Sequence, residues 1–373
     1  MRARILHLRP SNFVGGPEKM IFEHFKTVDE MKYHLFLGSF QEKTSSNPMI
    51  IAGREMGFDC LGIETRLKFG LDGVREIARE LKDKRIDVLV AHGYKADILG
   101  RLASWRVNVP LVVVSHGWTG ESRKVRWFDA MDKLFCRVAD AVVAVSEEQA
   151  RRLALAGVPA KRIHVIKNCI RLPEHVRDRQ EVRSRFGIAG ETRWLVAGGR
   201  LSPEKNFRGL VEAVRRMAPG FSDFRLSIFG EGPERNSLTD LINRHGLQDR
   251  IRLHGFTEDF PGLLAGADVF VLSSLTEGLP VVVLEAMAYG VPAVATDAGG
   301  TREIVVDDVS GVLVPLDDPQ ALADALVRVA SDKSLRKRLG RGGFELVNSR
   351  FTFERQASLY EDLYDAMIEK GAR

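Results

Sequence analysis

The 373-residue sequence predicts an α/β protein built as two doubly wound domains, each a parallel sheet wrapped by helices. Three observations carry that expectation. Short apolar runs alternate with helical patterns in the first half, at 5–8, 33–39, 87–91, 111–115, 141–146 and 164–167. The alternation restarts in the second half, at 194–197, 225–229, 251–254, 269–273, 293–296 and 312–314. Parallel strands need a long crossover, usually a helix, so this rhythm reads as two sets of βα units. The chain is also too long for one hydrophobic core and of the right length for two.

Formal net charge is +5, unevenly spread: residues 1–172 hold 29 Lys and Arg against 20 Asp and Glu, the remainder 26 against 30. Charge alone does not separate nucleic acid, an anionic membrane surface and an acidic acceptor as partners of the basic half. No nucleic-acid partner is expected from the motifs below. Cys60, Cys136 and Cys169 are isolated and lack C-x-x-C spacing, which argues against disulfides and zinc and for a reducing compartment. No apolar run approaches membrane-spanning length, and the opening Met1-Arg-Ala-Arg-Ile-Leu-His-Leu reads as the start of a strand rather than a signal peptide. The expected location is cytoplasmic, at most peripheral at the inner face of a membrane.

In chain order, the first strand runs into Gly15-Gly16-Pro17, a glycine turn feeding a helix whose first residue should be Pro17. The G-x-G-x-x-G of a dinucleotide site is missing, yet bare N–H groups at a helix start suit a phosphate or sugar hydroxyl as well as a plain tight turn. The run 112–115 ends in His116-Gly117, at the sheet edge where ligands bind in open α/β folds. Residues 122–137 form a basic helix with Arg123, Lys124, Arg126, Lys133 and Arg137 beside Trp127, and Trp105 with Arg101 and Arg106 adds a second cluster. Such faces lie on anionic bilayers, though more often they simply pack on a sheet. The polar stretch 172–181 is the linker candidate.

In the second half, Gly198-Gly199-Arg200 is followed by Lys205, two cations five apart before a helix. A planar guanidinium and a compact ammonium so placed suit a diphosphate. Glycine turns recur at Gly230-Glu231 and His254-Gly255-Phe256, where backbone can approach a ring or phosphate, and at Gly299-Gly300, a third glycine loop entering a helix, for which a plain helix start capped by Thr301 is the alternative. Glu277-Gly278-Leu279-Pro280 opens an apolar helix over about 280–289 that carries Glu285. The β-branched run 281–283 favours a strand locally, but Pro280 at one end and Gly290 at the other argue for a core helix. No Asp-x-Asp clamp stands near these loops, so no metal is expected and side chains must supply the cations.

Two glutamates with seven residues between them, in register with the G-G-R-x-x-x-x-K set, resemble the retaining nucleotide-sugar glycosyltransferases of the two-Rossmann-domain (GT-B) type, the family 4 or group 1 enzymes with the E-x7-E motif. The resemblance implies domains at 1–171 and 172–352 facing across a cleft, with a helix over 353–373 crossing back to the first. It implies that Glu277 holds donor-sugar hydroxyls, Glu285 the ribose diol, and Arg200 and Lys205 the diphosphate, with His116, Gly15 and Gly16 beside the sugar. Gly199, Gly230, Glu231, His254, Gly255, Phe256, Gly278, Leu279 and Pro280 complete the implied donor set. It implies no cofactor beyond the nucleotide sugar itself, a UDP-sugar by family frequency, and a glycan or glycolipid hydroxyl as acceptor. Asn168-Cys169 departs from the family's usual Asn-Gly. Acceptor choice is expected in the stretches 41–46 and 66–71, which match nothing. A nucleotide-sugar epimerase, a nicotinamide oxidoreductase and a non-catalytic sugar-binding protein are the competing readings.

Overall fold

The computed structural model describes residues 2–41, 47–65, 70–118, 123–217 and 219–371. The chain divides into two compact units, Met1–Asn168 with Phe353–Arg373, and Cys169–Thr352. The stretches 42–46 and 66–69, where acceptor choice was expected, lie outside the described residues.

The first unit is a parallel sheet of β1 (Ala3–Leu8), β2 (Tyr33–Gln41), β3 (Asp59–Glu64), β4 (Val88–His92), β5 (Leu111–Ser115), β6 (Ala141–Ala144) and β7 (Ile163–Val165), in the order β3-β2-β1-β4-β5-β6-β7. β4, β5 and β6 are buried along their whole length, which is why they read as unbroken apolar runs. β3 was not among the expected strands. It is an edge strand with acids at both ends and only Ile63 fully buried, so it lacks the apolar signal of a central one. Leu6, Leu89, Leu111 and Val113 of the sheet pack against Ile77, Leu81, Leu99 and Ala103 of the crossover helices. The helix Phe353–Gly371 belongs to this unit: Tyr360, Leu363, Tyr364 and Met367 recur at helical spacing and are buried.

The second unit is a parallel sheet of β8 (Arg193–Gly198), β9 (Phe224–Phe229), β10 (Ile251–Gly255), β11 (Val269–Leu272), β12 (Ala293–Thr296) and β13 (Gly311–Val314), in the order β10-β9-β8-β11-β12-β13. The β-branched run after β11 is helical, at Val281–Ala288, and Gly290 ends it at φ +68°. A strand there would find no edge of β11 to pair with, because β8 and β12 already occupy both. Only the first part of the expected linker, to Asp178, is without helix: the Asp178 carboxylate accepts from the N–H groups of Gln180 and Glu181 and starts the helix Arg179–Arg185.

In each sheet the first strand, β1 or β8, is flanked by neighbours reached in opposite directions. At such a switch point the loops on either side splay apart, and the carboxyl ends of the strands become the place where an open α/β sheet takes a ligand.

Candidate active site

At the switch point of the second unit, backbone comes first. Gly199 has φ +152° and donates its N–H to Phe229 O at 2.9 Å, and Gly230, at φ +143°, donates to Gly255 O at 2.8 Å. The turns after β8, β9 and β10 are thereby laced together. A β-carbon on Gly230 would lie 1.8 Å from Gly199 O, so this crossing tolerates glycine alone.

Side chains then join β8 to β11. Lys205 Nζ donates to Glu277 Oε1 at 2.6 Å, and Ser274 Oγ donates to the same oxygen at 2.7 Å. Ser273 Oγ donates to Lys205 O at 2.8 Å, and Leu275 N to Glu204 O at 2.8 Å. Lys205 and Glu277 keep only 20 and 11 % of their side-chain surface, so each is the other's main charge compensation. Arg200 is exposed, and its guanidinium has no hydrogen bond or ion pair to any described residue. Glu204, the acid nearest in sequence, is bonded instead to Ser202. One cation of the expected pair is therefore held in place and the other is free. Ser273 and Ser274 were not among the expected site residues, because nothing but their position before Glu277 marks them.

Below Glu277 lies the turn after β12. Gly299 sits at φ +54°, where a β-carbon would be 1.9 Å from Glu277 O, and Gly300 N donates to Gly278 O at 3.0 Å. Leu279 and Pro280 are buried beneath the same loop, and Glu285, half-buried, is the fifth residue of the helix that follows. The alternative reading of Thr301 as a helix cap does not hold: its hydroxyl donates to Ala298 O at 2.6 Å within a short 3-10 turn.

His254 has contacts within its own sheet. Its ring stacks on Phe229 at 4.6 Å and bonds Ser227 Oγ at 3.0 Å, which in turn accepts from Trp194 Nε1 at 2.9 Å. Burial first, then the charge of Arg252, pushes its pKa down to about 4. Gly255, at φ +85°, and the exposed Phe256 are what this strand end offers a ligand, and Glu231 pairs with Arg235 at 3.0 Å on the surface.

In the first unit, the fully buried Glu18 organises the turn after β1. Its Oε2 accepts from Gly15 N at 2.9 Å and its Oε1 from Arg9 Nε at 2.5 Å. Burial raises its pKa, but Arg9, Gly15 and Ser11 outweigh burial and hold it below the usual carboxylate value. This bond makes Gly15 the cap and Gly16 the first helical residue, so Pro17 is second rather than first as expected. A β-carbon on Gly15 would meet the Phe13 ring at 2.6 Å, whereas nothing stands within 4 Å of one on Gly16.

His116 follows β5, stacked at 6.1 Å over His92. Behind them runs a hydrogen-bonded chain: His92 Nε2 to His7 Nδ1 at 3.0 Å, His7 Nε2 to Tyr364 Oη at 2.8 Å, and Tyr364 Oη to His24 Nε2 at 2.8 Å. The four imidazoles border a cavity of about 30 Å³, roomy enough for about one or two waters or a hydroxyl. His116 Nε2, His92 Nδ1 and His24 Nδ1 have no hydrogen-bond partner among the described residues. Burial lowers all four pKa values, His116 to about 4 and His24 to about 3, with Arg9 adding to the shift at His116 and Glu18 opposing it. Only His116 was expected here. His7, His24 and His92 come from three elements far apart in sequence, and no local pattern joins them.

This cluster sets a pH limit on stability. A histidine whose folded pKa lies below 6.5 is neutral in the native state while the unfolded chain takes up protons, so stability holds above pH 6.5 and falls as pH drops toward 4. The urea midpoint should decline from pH 7 to pH 5. A flat midpoint over that range would contradict the buried, neutral assignment.

The basic helix occupies Arg123–Val138; the side chains of Arg123, Lys124 and Arg126 lie outside the described residues. Three other cations of the expected basic face have local work. Arg101 pairs with Asp140 at 2.6 Å and stacks on Trp105, Lys133 lies over Trp118 at 4.8 Å, and Arg137 Nε donates to Ala156 O at 2.5 Å. Trp105 and Trp127 remain 56 and 59 % exposed.

Two family models match the chain in succession: Glycosyltransferase Family 4 over residues 14–173 and Glycosyl transferases group 1 over residues 178–345. Among curated relatives, the D-inositol 3-phosphate glycosyltransferase of Xylanimonas cellulosilytica is 30 % identical over 336 residues, covering 84 % of this chain and 80 % of that protein. The Escherichia coli UDP-Gal:alpha-D-GlcNAc-diphosphoundecaprenol alpha-1,3-galactosyltransferase is 25 % identical over 383 residues, covering 98 % of each. The lipopolysaccharide core biosynthesis glycosyltransferase LpsD of Rhizobium meliloti is 34 % identical over 176 residues, 47 % of this chain and half of that protein's length. Among solved structures, Anabaena HepE in complex with UDP superposes with a TM-score of 0.85 at 22 % identity, over 97 % of this chain and 100 % of that one. The two-sheet fold is thus shared along the whole length, and sequence identity follows it through both matched regions. On these grounds the chain belongs to the group 1 glycosyltransferases, with a family 4 amino-terminal region, on the GT-B fold.

Proposed function

We propose that the protein is a retaining, metal-independent glycosyltransferase that moves a sugar from a nucleoside-diphosphate sugar, a UDP-sugar in the first instance, to a hydroxyl of a glycan or glycolipid. The observation that carries this reading is the Lys205–Glu277 pair at the switch point of the second sheet, with the unpaired Arg200 on the adjoining turn. The names of relatives support it: one uses UDP-Gal and a lipid-linked acceptor, another serves lipopolysaccharide core synthesis, and HepE was crystallised with UDP.

In this mechanism the bond between the sugar's C1 and the diphosphate oxygen breaks, and the acceptor oxygen bonds C1 on the same face. The acceptor's proton goes to the departing phosphate. Negative charge accumulates on that leaving group, where Arg200 offers a free fork of donors and Lys205 leans from Glu277 toward the phosphate. Glu277, so released, takes the sugar hydroxyls. Glu285 binds the ribose, and His116, neutral at pH 7, hydrogen-bonds the sugar together with the bare N–H of Gly16.

A panel of UDP-, GDP- and ADP-sugars in thermal shift identifies the donor, because a bound ligand stabilises the native state by mass action. The anomeric coupling of the product, read by proton NMR with and without EDTA, tests the rest. An inverted anomer removes the retaining assignment, and activity abolished by EDTA removes metal independence. Glu285→Gln should raise the donor KM more than it lowers kcat, since the amide keeps an acceptor and loses the charge-assisted bond. An unchanged KM with a collapsed kcat would make Glu285 catalytic instead.

For the acceptor we propose approach along the basic first unit, peripheral to an anionic membrane, with Trp105 and Trp127 at the interface. Binding of the wild type to phosphatidylglycerol vesicles at low salt, lost on adding salt, is the expected result. No sedimentation at low salt would favour a soluble acceptor.

A further inference from the structure

The second unit has another cavity, at the opposite, amino edge of its sheet, and nothing in the transfer reaction uses it. Asp268 stands at its wall just before β11, Tyr289 at the end of the helix Val281–Ala288, Arg179 on one side, and Lys333, Arg336 and Lys337 on the first two turns of the helix Lys333–Arg350. Its volume is about 280 Å³, against about 30 Å³ for the histidine-lined cavity, so it admits a small molecule rather than a water.

Four cations face one carboxylate here, and the carboxylate is already spoken for. Asp268 takes Arg179 at 2.7 Å, Arg183 at 3.1 Å and the Trp194 N–H at 2.9 Å. Arg336 is buried and fixed, donating to Val329 O at 3.2 Å and Ala330 O at 2.5 Å, with Asp268 3.9 Å from its Nε. Lys333 and Lys337 differ from these. Both are exposed, and neither makes a hydrogen bond or ion pair with any described residue. They stand four apart on one helix face, where like charges repel, and at the helix's amino end, where the macrodipole also disfavours positive charge. Asp332, the only acid in that turn, is the helix cap and accepts from Ser334 N and Leu335 N at 2.8 and 2.9 Å. Two unpaired ammonium groups beside a buried guanidinium, on the rim of a cavity of this size, are an unfavourable arrangement that an oxyanion relieves.

We propose that this cavity binds a phosphate group, inorganic or carried on a small molecule or lipid headgroup, at a site on the opposite edge of the sheet from the proposed donor loops. Lys333 and Lys337 would hold the charge at the rim, with the buried Arg336 behind them and the exposed Arg179, paired to Asp268, on the far side. The test is isothermal titration with inorganic phosphate at constant ionic strength set by chloride. Arg200→Ala/Lys205→Ala removes the competing phosphate contacts of the donor loops and should still bind with a single site. Lys333→Ala/Lys337→Ala, two surface changes whose fold is checked by circular dichroism, should lose about tenfold or more in affinity at that site. Equal phosphate affinity with and without the two lysines would overturn the proposal, as would chloride displacing phosphate at equal concentration. Sedimentation with phosphatidylglycerol vesicles separates the sources: capture weaker in the lysine variant than in the wild type marks a lipid headgroup, and capture unchanged in the variant while its phosphate affinity falls marks a soluble ligand.

Discussion

Lys205→Ala should lower turnover by about a hundredfold or more, the scale on which enzymes lose rate when one donor aimed at a developing charge is deleted. Arg200→Ala should do the same, yet the two variants should part company in stability. Lys205 is the charge partner of the largely buried Glu277, so its loss leaves that carboxylate with Ser274 alone and should lower Tm. Arg200 is exposed and unpaired among the described residues, so Arg200→Ala should melt like the wild type. Steady-state rates with the donor found by thermal shift, together with the two melting curves, are the measurement. Wild-type turnover in either variant would remove that residue from the site. Equal melting temperatures for both variants would mean that the Lys205–Glu277 pair contributes nothing to the fold.

Gly299→Ala is expected to cost as much as either, although position 299 carries no functional group. The new methyl would lie 1.9 Å from the carbonyl oxygen of Glu277, at a φ of +54° that side chains disfavour, so the loop holding Glu277 has to move. A displacement of about 1 Å at a positioned group is enough to cost about a hundredfold in rate. Loss of activity here should come with a lower Tm, unlike Arg200→Ala. Gly16→Ala is the matching control in the first unit, because a β-carbon there meets nothing within 4 Å and the fold should be untouched. If Gly299→Ala keeps wild-type rate and melting temperature, the close crossing of the two loops is wrong.

Much of the architecture was legible because central parallel strands are buried on both faces and therefore apolar without interruption. β4, β5, β6, β11 and β12 stand out for that reason. β3 was hidden by the same logic in reverse: an edge strand buries little and its Asp, Gly and Glu carry no strand signal. The Val281–Val283 run shows local propensity losing to context, since its neighbours leave no free sheet edge and Pro280 with Gly290 mark out a helix. The loops proposed to take the donor stand out in the sequence because strand ends, glycine turns and charged residues follow one another within a few positions of the chain.

What the sequence by itself determined was therefore the set of short-range arrangements: two βα alternations, the glycine turns, the cations at 200 and 205 and the glutamates at 277 and 285. Tertiary structure alone decided which partners those groups have. Lys205 meets Glu277 across 72 residues, His7 meets Tyr364 across 357, and the buried His7, His24 and His92 collect in one cluster with the half-buried His116 although no two of them share a motif. The ring of His254, named in the expected donor set, stacks on Phe229 and bonds Ser227, contacts that only the sheet order decides. The reason is physical: backbone conformation depends on neighbours in the chain, whereas the partner of a buried charge or imidazole depends on which strand ends the sheet order brings together.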